Sequence, residues 1–371
     1  MKIAMLGHKR IPSREGGVEI VVEELATRMV QRGHEVVAYN RKGKHVSNAA
    51  YSLSNITEYK GVQIRQVPTI DKKGLNALVY SIFASVRSTF GKYDVIHYHA
   101  EGSCAMLWLP KLFHVRTVAT IHGLDWQRAK WGGFATRYLK WGEKMAAKKA
   151  DQIIVLSRNM QRYFKETYGR DTVYIPNGLS MPYRREPSLI TERYGLHKEE
   201  YVLFLARIVP EKGVHYLIDA FRQVDTHKKL VIAGGASHSS EYYNEIVKKA
   251  AQDERIVMTG FVQDELLEEL YSNCCLYVLP SDVEGMPISL LEAMGYGRRC
   301  LVSDIPENTE LAMEHAVCFR QGDVEDLAAK LAGLLAEQKS DALENIDYVQ
   351  KNFDWDTIVE KTLGLYSEGC R

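Results

Sequence analysis

Short runs rich in Val, Ile, Leu and Tyr recur along the chain, separated by longer stretches in which apolar residues return every three or four positions. The first pattern suits strands buried on both faces and the second suits helices that cover them, so the alternation predicts α/β folding on parallel sheets. Residues 2–7 predict a strand, 18–32 a helix stopped by Gly33, and 35–39 the next strand, one βαβ unit in all. Further strands are expected at 62–67, 94–98, 116–121 and 152–156, with helical stretches between them, and the series closes near Ile175. From Pro176 to about Glu199 the pattern lapses into Asn, Gly, Pro, Arg and Glu, which predicts a linker. A second series then places strands at 201–206, 229–233, 255–259, 275–279, 300–303 and 316–319, and helices at 214–224, 241–252, 264–272, 287–296 and 323–338. Two closing helices are expected over 341–368.

The length of 371 residues exceeds what one ordinary core holds, and the two series therefore read as two Rossmann-like α/β domains, 1–180 and 181–353. Open parallel sheets bind ligands beyond the C-terminal ends of their strands, so the active site is expected where the two sets of strand ends share a crevice.

Composition narrows the classes of function. With 48 basic and 47 acidic residues the net charge is +1, which leaves no global field to gather nucleic acid. Cys104, Cys274, Cys275, Cys300, Cys318 and Cys370 show neither C-x-x-C pairing nor a regular framework, as expected of a reducing compartment. The N-terminus lacks the pattern of a signal peptide, and no run approaches the ~20 apolar residues that span a bilayer. The expectation is a cytoplasmic protein, with peripheral membrane contact left open.

The strongest local signal is Pro280-Ser281-Asp282-Val283-Glu284-Gly285-Met286-Pro287-Ile288-Ser289, which follows a buried strand and opens a helix that carries Glu292. Pro287 suits the first helical turn, and the free N–H groups around Met286 to Ser289 make an anion site. Glu284 ahead of that end and Glu292 within the helix offer carboxylate acceptors to hydroxyl-rich sugar and ribose. An acidic helix start with one surface Glu would give the same letters. Arg207 and Lys212 flank a turn after the first strand of the second series, from which both can reach a diphosphate by charge-assisted hydrogen bonds. Such contacts stabilise a nucleotide leaving group as its charge grows.

In the first series, Gly16 and Gly17 sit between the first strand and helix, where backbone must turn sharply or pass close to a ligand. The G-x-G-x-x-G spacing is missing and the second strand ends in Asn40-Arg41, so a bound dinucleotide is not expected. His122 and Asp125 follow the strand ending at Ile121 and are candidates to contact a transferred sugar and an acceptor. His97 and His99 share one strand face without a third ligand at metal-binding spacing, and read as core or cleft-wall residues. Asp354-Trp355-Asp356 matches a metal-binding D-x-D in letters but reads as a helix N-cap, so no metal is expected. Arg137, Lys140, Lys144 and Lys148 make one basic helical face near Trp131, Phe134, Tyr138 and Trp141, fit for anionic headgroups or for water.

Taken together these segments resemble family four of the glycosyltransferases, the large retaining family with the two-domain GT-B architecture, over essentially the whole chain. The resemblance implies that Glu292 binds the nucleotide ribose and Glu284 the donor sugar hydroxyls. It implies that Arg207 and Lys212 hold the diphosphate, with main-chain groups of Gly285, Met286, Pro287 and Ile288. His122 would face the sugar, Gly17 beside Gly16 would lie under the phosphates, and Phe261 and Val262 would border the base. A C-terminal helix over 354–371 would cross back to the first domain. Gly7-His8-Lys9-Arg10-Ile11-Pro12 and Ser303-Asp304-Ile305-Pro306-Glu307-Asn308 look like the subset that contains bacterial rhamnosyltransferases. Gly297-Arg298-Arg299-Cys300 departs from the family, which has a small residue or Lys followed by Pro there.

The implied reaction is metal-independent and retaining, needs no cofactor, and uses a UDP-, TDP- or GDP-linked sugar as substrate with a glycan or lipid-linked acceptor. Other readings stay open: a nucleotide-sugar epimerase on a similar scaffold, or a non-catalytic nucleotide-sugar-binding protein. Pyridoxal-dependent phosphorolysis fits the architecture, but no Lys is singled out for a Schiff base.

Overall fold

The fold is known from a computed structural model that describes residues 1–14, 16–43, 56–70, 72, 75–127, 133–236, 240–337, 339 and 341–368. Glu15, Trp131 and Cys370 lie outside these residues. The chain divides into two compact units, Met1–Gly178 with Trp355–Arg371, and Leu179–Asp354.

The first unit runs β1 (Lys2–Leu6), α1 (Gly17–Gln31), β2 (Glu35–Lys42), β3 (Glu58–Tyr59), β4 (Val62–Pro68), α2 (Leu75–Thr89), β5 (Val95–His99), α3 (Glu101–Cys104) and α4 (Trp108–Leu112). It continues with β6 (Arg116–Ile121), α5 (Gly133–Lys149), β7 (Gln152–Val155), α6 (Arg158–Tyr168) and β8 (Val173–Tyr174). The strands lie in the order β3-β4-β2-β1-β5-β6-β7-β8, parallel throughout except at β3. Ala4, Leu6, Tyr98 and Ala119 share a core with Tyr80 and Ala84 of α2, Ala146 of α5 and Phe164 of α6. The alternate positions Ile3 and Met5 are buried too, so the sheet is covered on both faces, which explains why its strands read as unbroken apolar runs. Ser157 caps α6 by accepting from the Met160 amide, and Gly169 ends it at φ +63°.

The second unit contains α7 (Leu189–Tyr194), β9 (Tyr201–Leu205), α8 (Val214–Gln223), β10 (Lys229–Ala233), α9 (Ser240–Ala250), β11 (Ile256–Gly260), α10 (Asp264–Asn273) and β12 (Leu276–Leu279). α11 (Ile288–Gly295), β13 (Cys300–Ser303), α12 (Pro306–Ala312), β14 (Val317–Phe319), α13 (Val324–Ala336) and α14 (Glu344–Asn352) complete it. Its six strands are all parallel, in the order β11-β10-β9-β12-β13-β14. Leu203, Val231, Tyr277 and Val302 face one core, and Val202, Phe204, Leu230 and Leu301 the other. That alternation is the period of two that a strand imposes.

The chain passes from the first unit to the second at Gly178–Leu179 and returns at Asp354–Trp355. On the first unit's side, a Cβ on Gly178 would stand 2.5 Å from the Trp355 ring. On the second unit's side, the Leu179 amide donates to the Phe353 carbonyl at 2.8 Å. The last helix, α15 (Trp355–Ser367), packs on α1 of the first unit. Among the described residues no helix is long and apolar enough to cross a membrane.

Three expectations need correction. The segment 176–199 is not a featureless linker: from Leu179 it belongs to the second unit and holds α7. Ile190 is buried in the core, and the amides of Ile190 and of Ser188, the residue just before α7, both donate to Glu269 Oε2, so tertiary packing secures a helix too short to show a period. Pro287 is not in the first helical turn but is the residue before it, at φ −77° and ψ +94°, and its carbonyl accepts from Leu290 and Leu291. α12 had no counterpart in the pattern, although Pro306 marks its start.

Candidate functional site

In the second unit the chain winds from β9 outward to β11 and then returns to β12 on the other side of β9, so the order of strands reverses between β9 and β12. This is the point at which a doubly wound sheet opens a crevice for ligand. Arg207 and Lys212 follow β9, while Glu284 and the α11 helix that bears Glu292 follow β12.

Local packing explains how residues 72 positions apart meet. Ala206 and Ile208 donate to the carbonyls of Ala233 and Gly235, which fixes the backbone on either side of the half-buried Arg207. A tight turn over Pro210–Lys212 ends at Gly213, at φ +65°. A Cβ at Gly213 would stand 1.9 Å from the Pro280 carbonyl oxygen, so only glycine lets the two loops close. The Asp282 amide donates to the Glu211 carbonyl at 2.9 Å, and the Lys212 ammonium reaches Glu284 Oε1 directly. Both side chains of that ion pair are largely buried, at 14% and 7% exposure. Ser281 Oγ donates to the same carboxylate oxygen at 2.7 Å, and the Ser281 carbonyl accepts from Ser303 Oγ at 2.5 Å.

Glu292 is the fifth residue of α11, about 6 Å along the axis from the helix start. Tyr271 donates to Glu292 Oε2 at 2.9 Å and also lies 3.2 Å from the Ser289 carbonyl. Burial pushes the Tyr271 hydroxyl well above its ordinary range, which keeps it a donor. Tyr277 donates to Ser289 Oγ at 2.8 Å, so two tyrosines brace the first turn of α11. Gly285 and Pro287 are buried, and Met286 and Ile288 half-buried, along this approach to the helix end. Beyond β11, Val262 is buried in the core whereas Phe261 is 54% exposed.

The first unit places its candidates at strand ends as well. Gly16 is the extended residue before α1 and Gly17 its first residue, so the glycine pair forms the helix entrance; Lys9 anchors it by donating its amide to Glu19 Oε1. His122 directly follows β6, with its Nε2 3.1 Å from His99 Nδ1. His99 in turn lies against His97 with ring centroids 4.1 Å apart and planes tilted by 34°. His97 is held from both sides, by Tyr366 Oη at 2.6 Å and Thr120 Oγ1 at 2.7 Å. Burial lowers His97 to about 3 and His8 to about 4, and takes His99 well below its ordinary value, so all three are neutral imidazoles. Asp125 opens a short turn, Asp125–Gln127, whose Trp126 donates to the buried Glu143 at 2.8 Å.

Several residues bear on these side chains without having been read from the sequence. Tyr271 holds Glu292, Ser281 holds Glu284, and His99 holds His122; Ser281 lay inside a quoted motif and His99 read as a core or cleft-wall residue, but no spacing signals the contacts of Tyr271 or His99. In Asp354-Trp355-Asp356, Asp354 immediately precedes α15, and Asp356 is paired with Arg32 at 2.8 Å. Among the described residues no cluster of three or more His, Cys, Asp or Glu could hold a metal ion. The departing Arg298 is 1% exposed and donates to the carbonyls of Cys274 and Tyr296 while pairing with Asp341. The turn after α11 is thus stapled rather than loosened. On α5, Arg137, Lys140, Lys144 and Lys148 are all exposed, with Lys140 4.2 Å over the Trp126 ring, whereas Tyr138 turns inward to donate to the Gly102 carbonyl.

Known proteins share this fold and match the chain along both units. The model of Glycosyltransferase Family 4 matches residues 15–181, and that of Glycosyl transferases group 1 matches residues 190–351. An uncharacterized glycosyltransferase of Methanocaldococcus jannaschii is 24% identical over 99% of this chain and 98% of its own length. Sucrose-phosphate synthase from Thermosynechococcus elongatus has the same fold, with a TM-score of 0.83 at 20% identity, covering 99% of this chain and 98% of that one. HepE of Anabaena, solved in complex with UDP and glucose, superposes with a TM-score of 0.81 at 19% identity, covering 99% of both chains. With the two family models meeting near the junction of its two units and this fold on both sides of it, the chain is a glycosyltransferase of the GT-B type.

Proposed function

We propose that this enzyme is a retaining, metal-independent hexosyltransferase that moves a sugar from a nucleotide-diphosphate donor to a glycan or lipid-linked acceptor, with no cofactor beyond the donor itself. The observation that carries the reading is the meeting of Lys212 with Glu284 beside α11, at the strand-order reversal of the second unit. A diphosphate seated at the α11 amides takes Arg207 and Lys212 as its cations, with Gly285, Met286, Pro287 and Ile288 as its main-chain bed. Lys212 has three donors and serves Glu284 and a phosphate oxygen together. Glu284 accepts sugar hydroxyls, Glu292, aimed by Tyr271, accepts the ribose hydroxyls, and the exposed Phe261 beside Val262 offers a face to the base.

In the first unit His122 is the group that contacts the transferred sugar, Asp125 the one that meets the acceptor, and Gly16–Gly17 the close backbone. Bond cleavage raises charge on the departing diphosphate, so the contacts of Arg207 and Lys212 strengthen toward the transition state. The donor phosphate accepts the acceptor's proton, which accounts for retention without a carboxylate nucleophile. The setting is cytoplasmic assembly of bacterial polysaccharide or glycoconjugate, in the manner of rhamnosyltransferases.

Titration calorimetry with UDP, TDP, GDP and their sugars tests the donor site. Charge-assisted hydrogen bonds contribute about 1.5–3 kcal/mol, so Glu292→Ala and Lys212→Ala should each weaken the preferred nucleotide sugar by roughly 10- to 150-fold. Unchanged affinity in both variants removes the assignment. Interconversion of UDP-sugars with no acceptor present would make the enzyme an epimerase instead.

A further inference from the structure

The first unit carries an exposed apolar and basic surface on helices that hold none of the site residues named above. The outward face of α2 is apolar: Phe83, Val86 and Phe90 follow one another at three- and four-residue spacings, and Phe90, just past the helix end, is 61% exposed. α4 packs against α2 and extends the strip, with Phe113 meeting the Phe90 ring edge-on at a centroid distance of 4.9 Å and Leu112 65% exposed beside it. α5 packs against α4, and on its outer face Phe134 and Trp141, 71% and 52% exposed, alternate with Arg137, Lys140, Lys144 and Lys148.

Every exposed charged side chain on these helices is basic, although Lys111 of α4 is paired with Asp151 just past α5. The only carboxylates on α2, α3, α4 and α5 are Glu101 and Glu143, and both are fully buried. A helix face shaped only for water mixes both signs and hides its aromatic rings. We propose that α2, α4 and α5 together form a docking face for an anionic lipid bilayer. The Phe, Val and Leu side chains of α2 and α4 sit at the headgroup boundary, and the α5 cations lie over the anionic headgroups. A second copy of this chain suits the surface poorly, because a two-fold contact would set these cations against themselves. The proposal stands on this surface alone, so its failure leaves the donor-binding reading untouched, and the reverse holds as well.

Cosedimentation with vesicles of phosphatidylcholine, with and without phosphatidylglycerol, tests it. The protein should bind the phosphatidylglycerol vesicles at low salt and be released as screening rises. Each basic residue at an anionic leaflet contributes about fivefold in partitioning, so Arg137→Gln with Lys144→Gln and Lys148→Gln should lower binding roughly a hundredfold. Phe90→Ser with Leu112→Ser should lower it on the same vesicles while leaving donor affinity and melting temperature as they were, since both side chains are exposed. Equal binding to the two vesicle types, or binding unmoved by both variants, overturns the proposal. So does a concentration-dependent dimer that the Phe90→Ser, Leu112→Ser variant abolishes without any vesicle binding.

Discussion

Acidification should loosen the first unit well before carboxylates begin to titrate. His8, His97 and His99 are at most 1% exposed, and burial holds His97 at about 3 and His8 at about 4. In the unfolded chain both return to about 6.5. A base whose folded pKa is depressed stays unprotonated in the native state while the unfolded state takes up a proton. The stability loss therefore begins as pH falls through about 6.5 and ends only at the folded values. Between pH 7 and pH 5 each such imidazole costs about 2 kcal/mol, or about 4 kcal/mol for His8 and His97 together, a large part of the ~5–15 kcal/mol of a typical domain. His99 acts in the same direction, because burial takes it well below its ordinary value and, among the described residues, its Nε2 has no hydrogen-bond partner to accept a second N–H. Hydrogen exchange read by mass spectrometry on β5 and β6, corrected for intrinsic rate, measures this loss, with β9 and β12 as reference in the same molecule. In His97→Gln about 2 kcal/mol of the pH 7 to pH 5 difference should vanish, whatever the variant's absolute stability. An unaltered pH difference in that variant, or exchange in β5 and β6 that ignores pH, refutes the reasoning.

Three further substitutions concern the second unit. Gly213→Ala forces a Cβ into the Pro280 carbonyl at a positive φ, so urea unfolding should show a loss above about 1 kcal/mol and calorimetry weaker donor binding, whereas Gly333→Ala, in open space on α13, should gain ~0.4–1 kcal/mol. Arg298→Met should cost about 2–3 kcal/mol in urea unfolding, because the carbonyls of Cys274 and Tyr296 lose a charged donor in a buried turn; a neutral result would show that Arg298 is there by default.

The strands and most helices were legible because a doubly covered sheet leaves apolar runs no alternative, as in the Tyr201–Leu205 strand. α7 was not, since its six residues derive their stability from Ile190 burial and Glu269 capping rather than from their own pattern. The letters around Glu284 and Lys212 named each as a candidate, but their contact depends on Gly213 closing against Pro280, a relation of space that spacing along the chain does not encode. Arg298 is the converse case. It looked like an intrusion beside the Glu292 helix, and its meaning lies in carbonyl acceptors supplied by Cys274 and Tyr296. The aromatic residues of α2 likewise show the helical period without saying which side is covered.

The paired crossings at Gly178–Leu179 and Asp354–Trp355 make residues 179–354 an inserted module whose two ends lie side by side. Excision should therefore yield a free-standing piece with adjacent termini, and a short turn joining Gly178 to Trp355 should reseal the host around α15. Grafting a different module between those same two cut points becomes a matter of matching one pair of neighbouring peptide ends.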